Sequence, residues 1–244
     1  MQEFKIFRAL GLSFKSWFRN FIPFTLIAAV LYSPVILWLA TIDLSATRSV
    51  EDLLNDVFVR PIYALVGLSA LLAPMLTYRV IQELNGTKVS MMASVKFGMR
   101  GILPAILLAV LTNVAQLVPM GGIISAIITC IWFVAAPAAV AEQLGPVTAF
   151  TRSSELTRGR RWGIFGLTFL IGLALVALLM AWVIPMFEKS EADLMSTMRQ
   201  SAIMFVVTMG IFQMFTGIVQ AVSYALLRLD KEGVTHEELA KVFE

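Results

Sequence analysis

The residues of this chain best suited to chemistry stand apart from one another. His236 is its one histidine and Cys130 its one cysteine. A catalytic base, a nucleophile or a metal centre needs partner groups brought to the same point, and neither residue has a motif that supplies them. His236 lies in Thr235-His236-Glu237-Glu238, a capping box with Val234 and Leu239 as its hydrophobic staple. It therefore reads as a solvated histidine in the first turn of a short helix. Cys130 sits inside an apolar run with no partner for an internal disulfide. There is no phosphate-binding loop or dinucleotide fingerprint, and Gly121-Gly122 reads as a turn. The sequence thus gives no reason to expect a catalytic residue, a metal or a cofactor.

What remains is uncharged polar side chains inside apolar runs, and charge at the ends of those runs. Asn113 and Gln116 are three residues apart, and Gln213 and Gln220 seven, so each pair shares one face of a helix. Ser125, Thr129 and Thr216 lie in the same runs. Such groups either join helices through hydrogen bonds of about 0.6–2 kcal/mol each or line a polar cavity, here between the third and sixth apolar runs. No Asp, Glu, Lys or Arg falls in the middle of a run, where ion-coupled transporters keep them. The basic side chains gather at the ends, as Lys15 and Arg19, Lys96 and Arg100, and Arg158, Arg160 and Arg161 beside Trp162. They suit topology determination and interfacial anchoring, and equally the docking of a lipid headgroup or a partner.

The elements that position these residues follow from hydropathy. The 244 residues are 59% hydrophobic and 14% charged, with mean hydropathy +0.84; soluble domains are nearer half apolar and a quarter charged. Apolar runs long enough to cross a bilayer as helices recur six times, near Phe21–Ile42, Pro61–Leu84, Gly101–Pro119, Gly121–Ala141, Ile164–Phe187 and Ser201–Leu227. Pro119-Met120-Gly121-Gly122 makes the third and fourth an antiparallel hairpin. Pro34, Pro74 and Pro137 fall within runs and are expected to bend them. Of the 19 Lys and Arg, all but Arg48, Arg60, Lys189 and Arg199 lie in alternate connecting segments. The positive-inside rule then places both termini in the cytoplasm. The first run is too long for a cleaved signal and lacks a small-residue cleavage site, so it reads as a retained signal-anchor. The basic residues sit where lipid headgroups would be, so nucleic acid is not expected as a partner.

Short amphipathic helices flank the runs. Residues 2–19 are amphipathic: Phe4, Phe7, Leu10, Phe14, Trp17 and Phe21 form one stripe, and Lys5, Arg8, Lys15 and Arg19 lie on the other face. Ser49-Val50-Glu51-Asp52 and Ser190-Glu191-Ala192-Asp193 open two more short helices on the opposite side. A repeated unit of interfacial helix, span, span is also visible. Ser13, Lys15, Arg19 and Pro23 recur at the same spacing as Ser94, Lys96, Arg100 and Pro104, and more weakly as Ser154 and Arg160. Thr77-Tyr78 is echoed by Ser223-Tyr224.

After the fourth run come Glu142-Gln143-Leu144-Gly145-Pro146, Ala149-Phe150-Thr151-Arg152-Ser153, Glu155 to Trp162, and Ile164-Phe165-Gly166-Leu167. These, with Tyr224 to Arg228 and Lys231-Glu232-Gly233-Val234, resemble a bacterial membrane-protein family related to the membrane domain found beside some glycerophosphoryl diester phosphodiesterases. The resemblance spans roughly 137–172 and 222–243 and implies a six-span bacterial inner-membrane protein. It implies no phosphodiesterase activity, since that domain is not in this sequence.

The expectation is an all-α polytopic membrane protein, one membrane domain over 1–244. It comprises a cytoplasmic interfacial helix (1–20), a six-span bundle (21–227) and a cytoplasmic C-terminal helix (228–244). The function expected is a non-enzymatic scaffold or accessory protein binding anionic phospholipid and a membrane-protein partner or further copies of itself. The alternative is a transporter or lipid-translocating permease using a cavity near Asn113, Gln116, Gln213 and Gln220.

Overall fold

A computed structural model describes residues 5–42, 52, 55–84, 87, 89–115, 120–187 and 191–233. All regular structure among them is helical, and six helical stretches are long and apolar enough to cross a membrane. The expected all-α polytopic class is the one observed. Helices α1 (Ile6–Arg19), α2 (Phe21–Thr41), α3 (Arg60–Leu84), α4 (Met91–Gly98), α5 (Ile102–Ala115), α6 (Gly121–Trp132), α7 (Ala135–Glu142), α8 (Pro146–Thr157), α9 (Arg161–Phe187) and α10 (Glu191–Glu232) follow one another along the chain. A π-helical turn, Asn55–Val59, leads into α3, and a 3-10 turn, Met99–Gly101, joins α4 to α5. Spans one to six are α2, α3, α5, α6 with α7, α9 and α10. The order short helix, span, span therefore occurs three times, opened by α1, α4 and α8.

The three short helices dock through small side chains. Ser13, Ser94 and Ser153 are each fully buried, at one position in the register Ala9-x3-Ser13, Ser90-x3-Ser94 and Ala149-x3-Ser153. The third copy is thus one residue out from the Ser154 register read in the sequence. A flat, close helix contact selects for a buried small residue, whereas an arginine spacing is free to drift at the surface. In α1 the packed face is Ala9, Ser13 and Ser16. Phe7 and Phe18, 83% and 68% exposed, point away from the bundle. At about 100° per residue the small, aromatic and basic sets occupy three separate sectors of the helix. Leu10 and Trp17 of the apolar stripe pack on the core and Phe14 rests against Phe215 at 4.6 Å, while the outward Phe7 and Phe18 suit the hydrocarbon side of an interface.

The centre of the bundle is α10 lying along α3 and α2, with Leu72, Leu76, Met214, Ile218 and Tyr224 fully buried. Glycine makes these approaches close. A Cβ on Gly98 would lie 2.4 Å from Met75 Cα, and one on Gly217 3.0 Å from Ala73 Cα. In a bilayer, where lipid is as apolar as leucine, such small-residue contacts carry helix association.

Three local expectations changed. The segment opening at Glu191 is not a separate helix but the start of α10, which runs through to Glu232. At about 63 Å, α10 is twice the hydrocarbon thickness, and Arg228 and Lys231 belong to its final turns rather than to a C-terminal helix. Of the prolines, only Pro137 breaks its span; Pro34 and Pro74 sit in continuous helices. The break falls at Phe133–Val134, where Pro137 can neither donate to the Phe133 carbonyl nor avoid it. Side chains of α8 repair it: Ser153 Oγ donates to the Ile131 carbonyl (3.1 Å) and accepts from Val134 N–H (3.3 Å), and Thr157 Oγ1 donates to Ile131 (3.0 Å). Between spans three and four, where 116–119 lie outside the described residues, Met120 is left-handed (φ 63°), and Gly121-Gly122, read as a turn, instead opens α6. The short helix expected from Ser49 lies largely outside the described residues, as do the Thr235 capping box, His236 and most of the C-terminal segment.

Candidate functional site

Three features are built on this frame: an ionic layer at one end of the bundle, a polar chamber within it, and two apolar grooves beside α9.

The ionic layer gathers the ends of spans two, four and six with α1 and α8. Ser16 Oγ and Asn20 Nδ2 donate to Glu83, Arg19 stands 3.5 Å from it, and Asn20 Oδ1 accepts from Arg79 Nε at 2.9 Å. The junction of α1 and α2 is thereby tied to the end of α3. A second cluster centres on Arg152 of α8, whose Nε donates to both oxygens of Glu142 (2.9 and 2.8 Å) and whose Nη2 donates to Glu232. Tyr224 OH donates to Glu142 at 2.8 Å, and Arg228 Nε donates to Glu232 at 2.8 Å. Burial works against the charge of Arg152, but its hydrogen bonds to Glu232 and Glu142 outweigh that and hold its pKa above the ordinary guanidinium value. Beside this cluster, Arg160 grips Asp230 in a forked pair at 2.8 and 3.3 Å, with the Asp230 side chain only 3% exposed. These contacts bring Arg19, Arg79, Arg152, Arg160 and Arg228 to the same end of the bundle.

The polar chamber, of about 240 Å³, is bounded by α3, α5, the α6–α7 break and α10. Its polar lining is Ser69, Thr112, Thr129, Gln213, Thr216 and Gln220, and among the described residues no ionisable side chain borders it. Ser69, Thr112 and Thr216 donate back to carbonyls of their own helices at 2.7 to 3.0 Å. Among the described residues the side chains of Gln213, Gln220 and Thr129 have no hydrogen-bond partner. The two amides sit two turns apart on one face of α10, with Thr216 between them.

The apolar grooves isolate α9. One, of about 430 Å³, runs between α9, α10 and the aromatic side of α1, lined by Phe14, Trp17, Leu170, Ile171, Ile211 and Phe215 among others. The other, of about 450 Å³, lies between α9 and α6, walled by Ile123, Ala126, Ile127, Cys130, Ile131 and Phe165. Arg161 and Trp162 also border it. Trp162 is 85% exposed. Arg161 reaches only Ser154 Oγ, at 3.5 Å, and has no carboxylate partner among the described residues.

The residues singled out in the sequence are therefore dispersed. Gln213 and Gln220 meet at the chamber. Asn113 lies on α5 one residue beyond the chamber-lining Thr112, and Gln116 is outside the described residues. Lys15 and Arg19 share a recess of about 280 Å³ with Arg8, beside Glu83. Lys96 and Arg100 are exposed, and Arg100 stacks over Phe97 at 5.5 Å. The tetrad Arg158, Arg160, Arg161 and Trp162 divides: Arg160 is committed to Asp230, while Arg158, Arg161 and Trp162 stay exposed. Sequence reasoning gave no role to Arg152, Asp230 or Tyr224. A faint signal was available in Arg228 and Glu232, four apart at the end of an apolar run, but their partner Arg152 is remote in sequence. In comparison with protein-family models, curated proteins and solved structures, the chain matches none.

Proposed function

We propose that this protein is a bacterial inner-membrane scaffold, with both termini cytoplasmic and no catalysis of its own, that holds anionic phospholipid along α9 and presents that helix to a partner membrane protein. The observation carrying this reading is the groove between α6 and α9. It is apolar along its length and bordered by an arginine that has no carboxylate partner among the described residues. An acyl chain fits such a wall, a phosphate fits the guanidinium, and an exposed tryptophan belongs at headgroup level. The recess formed by Arg8, Lys15 and Arg19 offers a second basic surface for headgroups. The outer face of α9 supports the partner, since Leu173 and Val176 are about half exposed with lipid or protein as their only apolar cover.

Native mass spectrometry in mild detergent tests the lipid part. The protein should retain dioleoylphosphatidylglycerol in preference to dioleoylphosphatidylcholine, and Arg161→Gln should lower that preference about five- to tenfold, as loss of a charge-assisted hydrogen bond implies. Equal retention of both lipids by the unaltered protein removes the lipid site. Photo-crosslinking from position 173 in native membranes tests the scaffold part: protein adducts support it, and lipid adducts alone reject it.

A further inference from the structure

We infer that the chamber between α3, α5, the α6–α7 break and α10 is a binding site for a small, uncharged, hydroxyl-bearing group. It stands independently of the phospholipid reading, since no residue of the α6–α9 groove borders it. Three observations converge. First, Gln213 and Gln220 border the chamber with donors and acceptors that no described residue meets. An amide placed there to join helices would be bonded to a neighbouring helix, and these are bonded to none of the described residues. Second, the described lining holds hydroxyls and amides without a charge, so an ion entering would lose its hydration with no counter-charge there to offset the loss. Groups that both donate and accept match a hydroxyl, which does the same. Third, about 240 Å³ falls below the 300–1,000 Å³ range of drug-sized sites, which restricts the ligand to a few heavy atoms or to the polar end of a larger molecule.

The floor of the chamber explains how it stays open. Ala70, Ala73 and Gly217 let α3 and α10 close on one side, while the proline-induced break at Phe133–Val134 displaces α7 on the other. The chamber is a product of that break, and Thr129 lies just before it.

The same chemistry is presented by a free polyol and by the glycerol end of a neutral lipid. The test uses both on the full chain in detergent: saturation-transfer NMR with glycerol, and native mass spectrometry with 1,2-dioleoylglycerol. Gln220→Leu should lower occupancy by at least fivefold for the probe that is the true source. Ala109→Leu, which narrows the chamber from α5 and leaves both amides in place, should do the same and stands in if the first variant misfolds. A fall with glycerol assigns a free solute, and a fall with dioleoylglycerol alone assigns a lipid end. Glycerol 3-phosphate should displace neither probe. Displacement by it, failure of both probes to bind the unaltered protein, or equal binding by it and both variants overturns the site.

Discussion

Spans five and six are neighbours in sequence and opposites in packing. α9 is the most apolar span, with mean hydropathy 2.7, yet only 6% of its most apolar window is buried; α10, at 2.0, has 50% buried. Hydrophobicity inserts a helix into a membrane but does not press it against another helix, because lipid satisfies the same surface. α10 is held by a glycine crossing against backbone at Gly217, where the α9 glycine Gly166 meets only the Ile6 side-chain tip, and by Tyr224, Arg228, Asp230 and Glu232 in the ionic layer. The contacts that tether α9 are concentrated before it, through α8 and the Arg160–Asp230 pair.

Glycine-to-alanine changes at a packed crossing, Gly98 where α4 meets α3, and on α9 should show the contrast most sharply. Gly98→Ala puts a Cβ 2.4 Å from the α3 backbone. The helix gains about 1 kcal/mol of propensity and loses about 3 kcal/mol or more to overpacking, so the unfolding midpoint in a detergent titration should fall clearly. Asp230→Ala removes the carboxylate that the Arg160 guanidinium grips. A fully buried pair would cost 3–5 kcal/mol, but Arg160 is about a third exposed, so about 2 kcal/mol is expected. The double variant with Arg160→Ala should recover part of it, and strict additivity in that cycle would deny the coupling. Glu142→Gln keeps the shape but removes the charge facing Arg152. A loss of about 1–2 kcal/mol is expected, with faster proteolysis of the α7–α8 turn as the local readout. Gly172→Ala on α9 meets nothing within 4 Å, so in the same titration it should cost no stability and add at most about 1 kcal/mol of helix propensity. A large effect there would show that α9 is covered by protein rather than by lipid.

Much of the architecture was legible because its signals are local. Six apolar runs, the basic ends of alternate loops and the punctuation at Pro119 to Gly122 each need only a window of residues. The third repeat was misread by one residue because Ser153 and Ser154 are alike in sequence, and only contact with the Ile131 carbonyl separates them. Arg160 looked like its neighbour Arg161 for the same reason; its commitment to Asp230 joins positions 70 residues apart. Of the four amides assigned to a cavity, Gln213 and Gln220 do line one, together with Ser69 and Thr112, which carry no signal beyond a common polar atom.

By itself, then, the sequence determined the solvent: enough greasy length for six crossings, and charge placed so that the crossings alternate. Tertiary structure decided which faces meet. Once every backbone bond is closed within its own helix and lipid covers any apolar face equally well, helix partners are chosen by glycine-sized gaps and a few ionic knots. Those depend on residues far apart in the chain.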